Sequence, residues 1–249
     1  MESLGIDIGS RTIKTVLLND GEIAEWEVVD ATSRPAEIAR RFLSKYRNIP
    51  VVATGYGRNL LEIQDVASVT EIKACAHGIR HYSADAMTIL DVGGQDLKAI
   101  LLDTNGKIAK FEMNDRCAAG TGKFLEIMAE KLDFELTQFG DAALTGTPGV
   151  SISSVCTVFA ESEVIGLLNK GMPRNDIALA VHQSVVKKLS GMFKRLSDTA
   201  CSIYLVGGGA LNPCTRNLLE RELQVTVLVP ANPQTVVALG AAVIASQGG

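Results

Sequence analysis

GIDIGSRTIKTVLLNDGEI, Gly5 to Ile23, returns 84 residues later (91 − 7) as LDVGGQDLKAILLDTNGKI, Leu90 to Ile108. Asp7 falls on Asp91, Gly9 on Gly93, Lys14 on Lys98, and Leu17-Leu18 on Leu101-Leu102, with one extra residue entering at the second turn. Each copy reads as a buried strand, a tight glycine loop, a second strand, a turn and a third strand. The turns are Asn19-Asp20-Gly21 and Asp103-Thr104-Asn105-Gly106. One Asp-x-Gly between apolar strands is ordinary turn chemistry. Two copies, each with an aspartate at a strand end, imply a duplicated unit and two similar lobes with a cleft between them, a usual place for a ligand. The expected division is residues 1–86 and 87–249, with the C-terminal helix free to pack back on the first lobe.

Strands and helices alternate through the rest of the chain, which implies α/β layers. Helical patterns run over Pro35–Arg47, Glu71–Tyr82, Ala118–Leu132, Val155–Lys170, Pro173–Ala200, Asn212–Glu222 and Pro233–Ala245. Short strands are expected at Val51–Thr54, Ser202–Val206 and Val225–Val229, and the loop Gly55-Tyr56-Gly57-Arg58 follows the first of these.

Composition narrows the function. With 249 residues, 47% of them hydrophobic, the chain can bury a large core. A net charge of −4 argues against nucleic acid as the main partner. No apolar run is long enough to span a membrane, and MESLGIDIGS enters a strand pattern at once with no signal-peptide pattern. The expectation is a cytoplasmic protein. Five cysteines, an odd number without a CxxC pair, make a disulfide framework or a metal site held by one chain a poor fit.

Two cysteines stand in unusual contexts. NDRCAAGTGKFLE, Asn114 to Glu126, places Cys117 at the mouth of a small-residue loop that runs into a helix, where the helix dipole favours a thiolate. Gly120, Thr121 and Gly122 could approach a phosphate closely. Cys156, in SSVCTVFAESEV, is the candidate partner. The plainer reading of both is a buried, inert thiol, which suits Cys75, Cys201 and Cys214 better.

Three glycine loops sit at strand ends: Gly9-Ser10-Arg11-Thr12, Gly93-Gly94-Gln95-Asp96 and Gly207-Gly208-Gly209-Ala210. Backbone amides in such loops cradle phosphates, and Asp7 and Asp91 can hold a hydrated magnesium ion. The order of the three points to a nucleotide. Neither G-x-x-x-x-G-K-[ST] nor G-x-G-x-x-G is present, so neither a P-loop nor a dinucleotide fold is indicated. Gln95 is placed to orient a water at the γ-phosphate, or simply makes a loop hydrogen bond. Glu161 and Glu163 either complement the helix dipole or contact the nucleotide or the cysteine loop. His77, His81 and His182 show no metal-binding spacing and read as surface or packing residues.

This order resembles the actin, hexokinase and heat-shock chaperone superfamily of ATPases, with a duplicated actin-like (ribonuclease H-like) fold. GIDIGS, TGYGRNLLE, VTEIKACAHG, DVGGQDLK, NDRCAAGTGKFLE, CTVFAESEVI and VGGGALN are most similar to the activator ATPases of 2-hydroxyacyl-CoA dehydratases and benzoyl-CoA reductases. Arg11 departs from the small hydroxyl residue usual there and itself becomes a candidate phosphate contact. The resemblance implies ATP or ADP with Mg2+, the ion near Asp7 and Asp91. The implied nucleotide contacts are Gly9, Ser10, Arg11, Thr12, Lys14, Gly93, Gly94, Gln95, Asp96, Gly120, Thr121, Gly122, Glu163, Gly207, Gly208, Gly209, Ala210, Asn212 and Gln234. Asp7, Asp91 and Gln95 are the implied catalytic residues. Cys117 and Cys156 correspond to cluster ligands. Two per chain cannot complete a four-cysteine site, so one 4Fe-4S cluster would be shared across a homodimer. The implied activity is ATP-driven one-electron donation, from a ferredoxin or flavodoxin to a partner dehydratase or reductase. A small-molecule kinase without a cluster, and a nucleotide switch or filament protein, are the alternatives.

Overall fold

The computed structural model describes all residues except 32–33, 47, 61–65, 154–155, 197–201 and 249. Among the described residues the strands are β1 (Glu2–Ile8), β2 (Thr12–Asn19), β3 (Glu22–Asp30), β4 (Val51–Thr54), β5 (Ala67–Ser68), β6 (Thr88–Val92), β7 (Leu97–Leu102), β8 (Ile108–Asn114), β9 (Ile203–Val206) and β10 (Val227–Leu228). The helices are α1 (Pro35–Lys45), α2 (Glu71–Tyr82), α3 (Gly122–Lys131), α4 (Leu136–Leu144), α5 (Thr157–Asn169), α6 (Arg174–Leu196), α7 (Pro213–Leu223) and α8 (Val236–Ser246). None is long and apolar enough to cross a membrane.

The duplication is written into the sheets. One has the order β3-β2-β1-β4-β5; the other, read from its far edge, runs β8-β7-β6-β9-β10. In the first, β1 pairs antiparallel with β2 and parallel with β4, placing Asp7 opposite Lys14 and Thr54. In the second, β6 pairs antiparallel with β7 and parallel with β9, placing Asp91 opposite Lys98 and Val206. Pair for pair, the β6–β7 register is the β1–β2 register displaced by 84 residues, 7 to 91 and 14 to 98.

The chain divides into two compact units. One comprises residues 1–87, 102–109 and 230–249, the other 88–101 and 110–229. In the first, β1 is covered on both faces, so it reads as a continuous apolar run. Leu4, Ile6 and Ile8 pack against Ala39 and Phe42 of α1. On the alternate face, a Cβ at Gly5 would overlap the Ala238 carbonyl, so only glycine lets α8 lie on this strand. α8 in turn packs on α2. A Cβ at Gly240 would overlap the Ala74 carbonyl, and one at Gly78 the Val236 carbonyl, so the two backbones touch at a pair of glycines. α2 is capped by Thr70, whose hydroxyl accepts the Lys73 N–H at 3.3 Å.

In the second unit, Leu90, Val92, Leu97 and Ala99 of the sheet share one core with α3, α4, α6 and α7. Two elements depart from the sequence expectation. The helix expected from Ala118 starts at Gly122, because Gly120 has φ +86° and the preceding residues form a turn. α4 forms where the sequence pattern, interrupted by Gly140, predicts no element. Cys201, the expected helix ends at Arg47, Val155 and Ala200, and Leu61-Glu62 of the TGYGRNLLE motif fall outside the described residues.

Candidate functional site

Each copy builds the same local device. Where β1 turns into β2, the Gly9 N–H donates to the Thr12 carbonyl at 3.1 Å, and Lys14 Nζ donates to Asp7 Oδ2 at 2.9 Å. Where β6 turns into β7, the Gly93 N–H donates to the Asp96 carbonyl at 3.0 Å, and Lys98 Nζ lies 3.5 Å from Asp91 Oδ2 and 2.6 Å from Asp96 Oδ2. Directly opposed residues on an antiparallel pair lie close enough for such ion pairs. Asp7, Asp91 and Lys98 are buried. A Cβ at Gly93 would overlap the Asp96 carboxylate, which explains the glycine there. The copies differ in charge: Asp7 with Lys14 sums to zero, whereas Asp91 and Asp96 with Lys98 sum to −1.

A second glycine loop closes over each aspartate. Gly55 follows β4 with φ +93°, and a Cβ on it would lie 2.5 Å from Asp7 Oδ1 and 2.5 Å from the Ile8 carbonyl. Gly207 follows β9 with φ +82°, and its Cβ would overlap the Asp91 carboxylate and lie 2.5 Å from the Val92 carbonyl. The next turns match as well: Arg58 N–H donates to Gly55 and Leu60 N–H to Gly57, as Ala210 N–H does to Gly207 and Asn212 N–H to Gly209. Thr54-Gly55-Tyr56-Gly57 is therefore the first-copy counterpart of Val206-Gly207-Gly208-Gly209. Sequence reading treated only the second as a nucleotide loop. The shared strand-then-G-x-G pattern was the available signal.

The cysteine loop leans directly on the second turn. Gly122 N–H donates to the Gly93 carbonyl and Lys123 N–H to the Gly94 carbonyl, each at 2.9 Å. Two of the N–H groups left open at the start of α3 are thus satisfied by the Gly93-Gly94 backbone rather than by a side-chain cap. Thr121 Oγ1 donates instead to the Ala118 carbonyl at 2.6 Å. Lys188 Nζ of α6 donates to the Ala119 carbonyl at 2.8 Å, and Asn114 Nδ2 donates to the Cys117 carbonyl at 2.8 Å.

Cys117 is half-buried; Cys156 is exposed and occupies the N-cap position of α5. α3 and α5 pack together and are joined at their surface by the Lys131–Glu161 ion pair at 2.8 Å. Glu163 accepts from the Ser153 N–H and the Ser153 hydroxyl, both at 2.8 Å, and so fixes Ser153 against α5. Among the described residues no group of three or more His, Cys, Asp or Glu is arranged to hold a metal.

The second unit thus brings together Asp91, Gly93, Gly94, Asp96, Gly120, Thr121, Gly122, Gly207, Gly208, Gly209 and Ala210. Asp7, Gly9, Thr12, Lys14 and Gln234 belong to the other unit. Ser10, Arg11 and Gln95 are exposed. Asn212 is buried, and its side-chain oxygen caps α7 by accepting the Thr215 N–H at 3.1 Å.

Residues 4–245 match the model of the BadF/BadG/BcrA/BcrD ATPase family. The chain belongs to that family. Over 98% of its length it is 42% identical to the activator of lactoyl-CoA dehydratase of Anaerotignum propionicum, 97% of which is covered. Its structure is similar to that of the activator of the 2-hydroxyisocaproyl-CoA dehydratase from Clostridium difficile with bound ADPNP. The TM-score is 0.90 at 38% identity, covering all of this chain and 95% of that one. It is equally similar to Acidaminococcus fermentans (R)-2-hydroxyglutaryl-CoA dehydratase component A, with a TM-score of 0.91 at 36% identity, covering all of this chain and 98% of that one. The family of activator ATPases and the duplicated actin-like α/β fold expected from the sequence are both borne out.

Proposed function

We propose that this chain is an ATP-dependent one-electron donor that activates a partner dehydratase or reductase. The observation carrying this reading is the pair of backbone hydrogen bonds from Gly122 and Lys123 to Gly93 and Gly94. They tie the turn that would receive a nucleotide phosphate to the first turn of the helix that follows Cys117. Force on that turn is transmitted to the cysteine loop without passing through a flexible side chain.

On this reading ATP places its phosphates on the Gly9–Thr12 and Gly93–Asp96 turns and its adenosine at Gly207–Asn212. Asp7 and Asp91 would hold a hydrated Mg2+, which neutralises charge developing on the phosphates. The carboxylate oxygens suit a hard cation, and the −1 charge sum at Asp91, Asp96 and Lys98 favours the second copy. Gln95, exposed beside this turn, orients the attacking water.

The donor set also fits a cluster. Cys117 precedes the turn that leads into α3 and Cys156 is the N-cap of α5, and these two helices pack together. A single chain offers two such thiols; two chains offer the four that a 4Fe-4S centre requires. Such a centre would supply a one-electron carrier. Val158, Phe159 and Ile165 of α5 are exposed apolar side chains near Cys156, a face suited to a second copy of the chain. The electron source on this reading is a ferredoxin or flavodoxin.

The test is anaerobic purification with iron, sulfide and native mass determined together. About four iron per dimer is expected. An iron-free protein after anaerobic reconstitution that phosphorylates a small metabolite would replace this reading with a kinase.

A further inference from the structure

His182 stands in the middle of α6 with no accessible surface. Its Nδ1 lies 2.7 Å from the Ala178 carbonyl oxygen, one turn back, so this nitrogen carries the proton and donates. Nε2 is left as an acceptor, and Asn212 Nδ2 donates to it at 2.9 Å. The same amide is fixed from its other end, where Oδ1 accepts the Thr215 N–H and caps α7. Both demands require one orientation of the amide. Burial pushes the His182 pKa down to about 4, which keeps the ring a neutral acceptor near pH 7. Phe139 packs its ring 4.7 Å from the imidazole, and a Cβ on Gly140 would lie 2.7 Å from Asn212 Oδ1.

Asn212 is where the Gly208–Leu211 turn ends. Its N–H donates to the Gly209 carbonyl, and Ala210 N–H donates to Gly207. Gly207 in turn packs against the Asp91 carboxylate and the Val92 carbonyl. A continuous set of contacts therefore runs from His182 through Asn212 to the loop beside Asp91.

We propose that His182 is a positioning residue for the nucleotide-base loop. By accepting a hydrogen bond from Asn212, it holds the Gly207–Asn212 turn in its nucleotide-receiving shape from inside the core. This rests on the reading of that turn as the adenosine loop. A histidine that only filled space would be replaced by an aromatic hydrocarbon without loss of binding. One that positions Asn212 would not, because the amide N–H is then left in the core without its acceptor.

The experiment is calorimetric titration of the full chain with Mg·ADPNP, comparing wild type, His182→Phe and His182→Gln, with a melting curve for each. His182→Phe keeps a ring against Phe139 but removes the acceptor. Its ADPNP affinity is expected to fall about tenfold, the scale of one lost buried hydrogen bond. His182→Gln restores an acceptor oxygen and is expected to recover most of that loss. A lowered melting temperature with wild-type affinity in His182→Phe would overturn the proposal.

Should His182→Phe not fold, the wild-type chain labelled with 15N-histidine serves, since it has three histidines to resolve. Adding Mg·ADPNP is expected to shift the His182 Nε2 resonance, and an unmoved resonance in nucleotide-saturated protein overturns the proposal. A wild-type chain that binds no ADPNP would instead remove the adenosine-loop reading on which the proposal stands.

Discussion

Gly55→Ala is the substitution that presses hardest on the duplicated site. Gly55 has φ +93°, a conformation that costs a residue with a Cβ about 1–2 kcal/mol. The new methyl would lie 2.5 Å from Asp7 Oδ1, against an ordinary contact beginning at 3.4 Å, so about 0.9 Å (3.4 − 2.5) must be found. The Ile8 carbonyl, also 2.5 Å away, is strand backbone paired to β2, so the Gly55 loop and the carboxylate must both give way. The Lys14–Asp7 pair at 2.9 Å moves with it. If Asp7 handles the reacting phosphate as proposed, misplacing it by about 1 Å costs roughly 100-fold in rate.

Gly171→Ala is the control, because Gly171 has φ +75° with nothing within 4 Å of the added methyl. It bears the same backbone penalty of about 1–2 kcal/mol and displaces nothing. The assay is steady-state ATP hydrolysis, with thermal melts to match the two variants for stability. Gly55→Ala is expected to lose about two orders of magnitude in kcat/KM while Gly171→Ala keeps its activity. If the two variants hydrolyse ATP equally well at equal stability, Asp7 has no part in the reaction and the Gly55 loop is only a turn.

Three further outcomes are expected. Cys117→Ser and Cys156→Ser should each lose the iron of anaerobically prepared protein while binding ADPNP as wild type does; full visible absorption in either removes that residue as a ligand. Acid should destabilise the fold through His182, whose pKa drops from 6.5 to about 4 on burial. The unfolded chain takes up this proton before the folded one, so its contribution is fully present above pH 6.5 and is lost as the pH falls towards 4. It amounts to about 3 kcal/mol, and chemical denaturation across that window should show a shallower dependence in His182→Gln. Gly240→Val should force α8 off α2, where a Cβ already overlaps the Ala74 carbonyl; a loss of about 3 kcal/mol or more is expected in urea unfolding.

The parts of this molecule that were legible in its sequence share a property: they repeat at a fixed offset or carry an unusual residue. The Asp-x-Gly strands and their lysines recur at 84 residues, and the structure keeps even their cross-strand register. Cys117 and Cys156 stood out because thiols ahead of small residues or helix starts are rare. The counterpart of the Gly207 loop was signalled only by its strand-then-G-x-G pattern. Gly55 and Gly207 are 152 residues apart (207 − 55), so no single offset aligns both it and the Asp loops. α4 was hidden by the mid-helix Gly140, which is there because a Cβ would strike Asn212 and Pro213. The roles of His182 and Lys188 were hidden too, since each depends on a partner distant in sequence, Asn212 at 30 residues and Ala119 at 69.

That difference in offset also says how the specific chemistry was added. Between β3 and β4 the first copy has 20 residues (51 − 30 − 1); between β8 and β9 the second has 88 (203 − 114 − 1). Cys117, Cys156, Glu161, Glu163, His182 and Lys188 lie in that longer interval. The interval returns to the frame almost at once, where Gly122 and Lys123 donate to the carbonyls of Gly93 and Gly94. Those carbonyls belong to the Gly93–Asp96 turn, which is closed by the Gly93 N–H to Asp96 carbonyl bond and also receives the start of the helix after Cys117. Any displacement of this turn would therefore carry the start of that helix with it. The insertion therefore needs no separate relay. It is joined to the Gly93–Asp96 turn through the open N–H groups that every helix presents at its start.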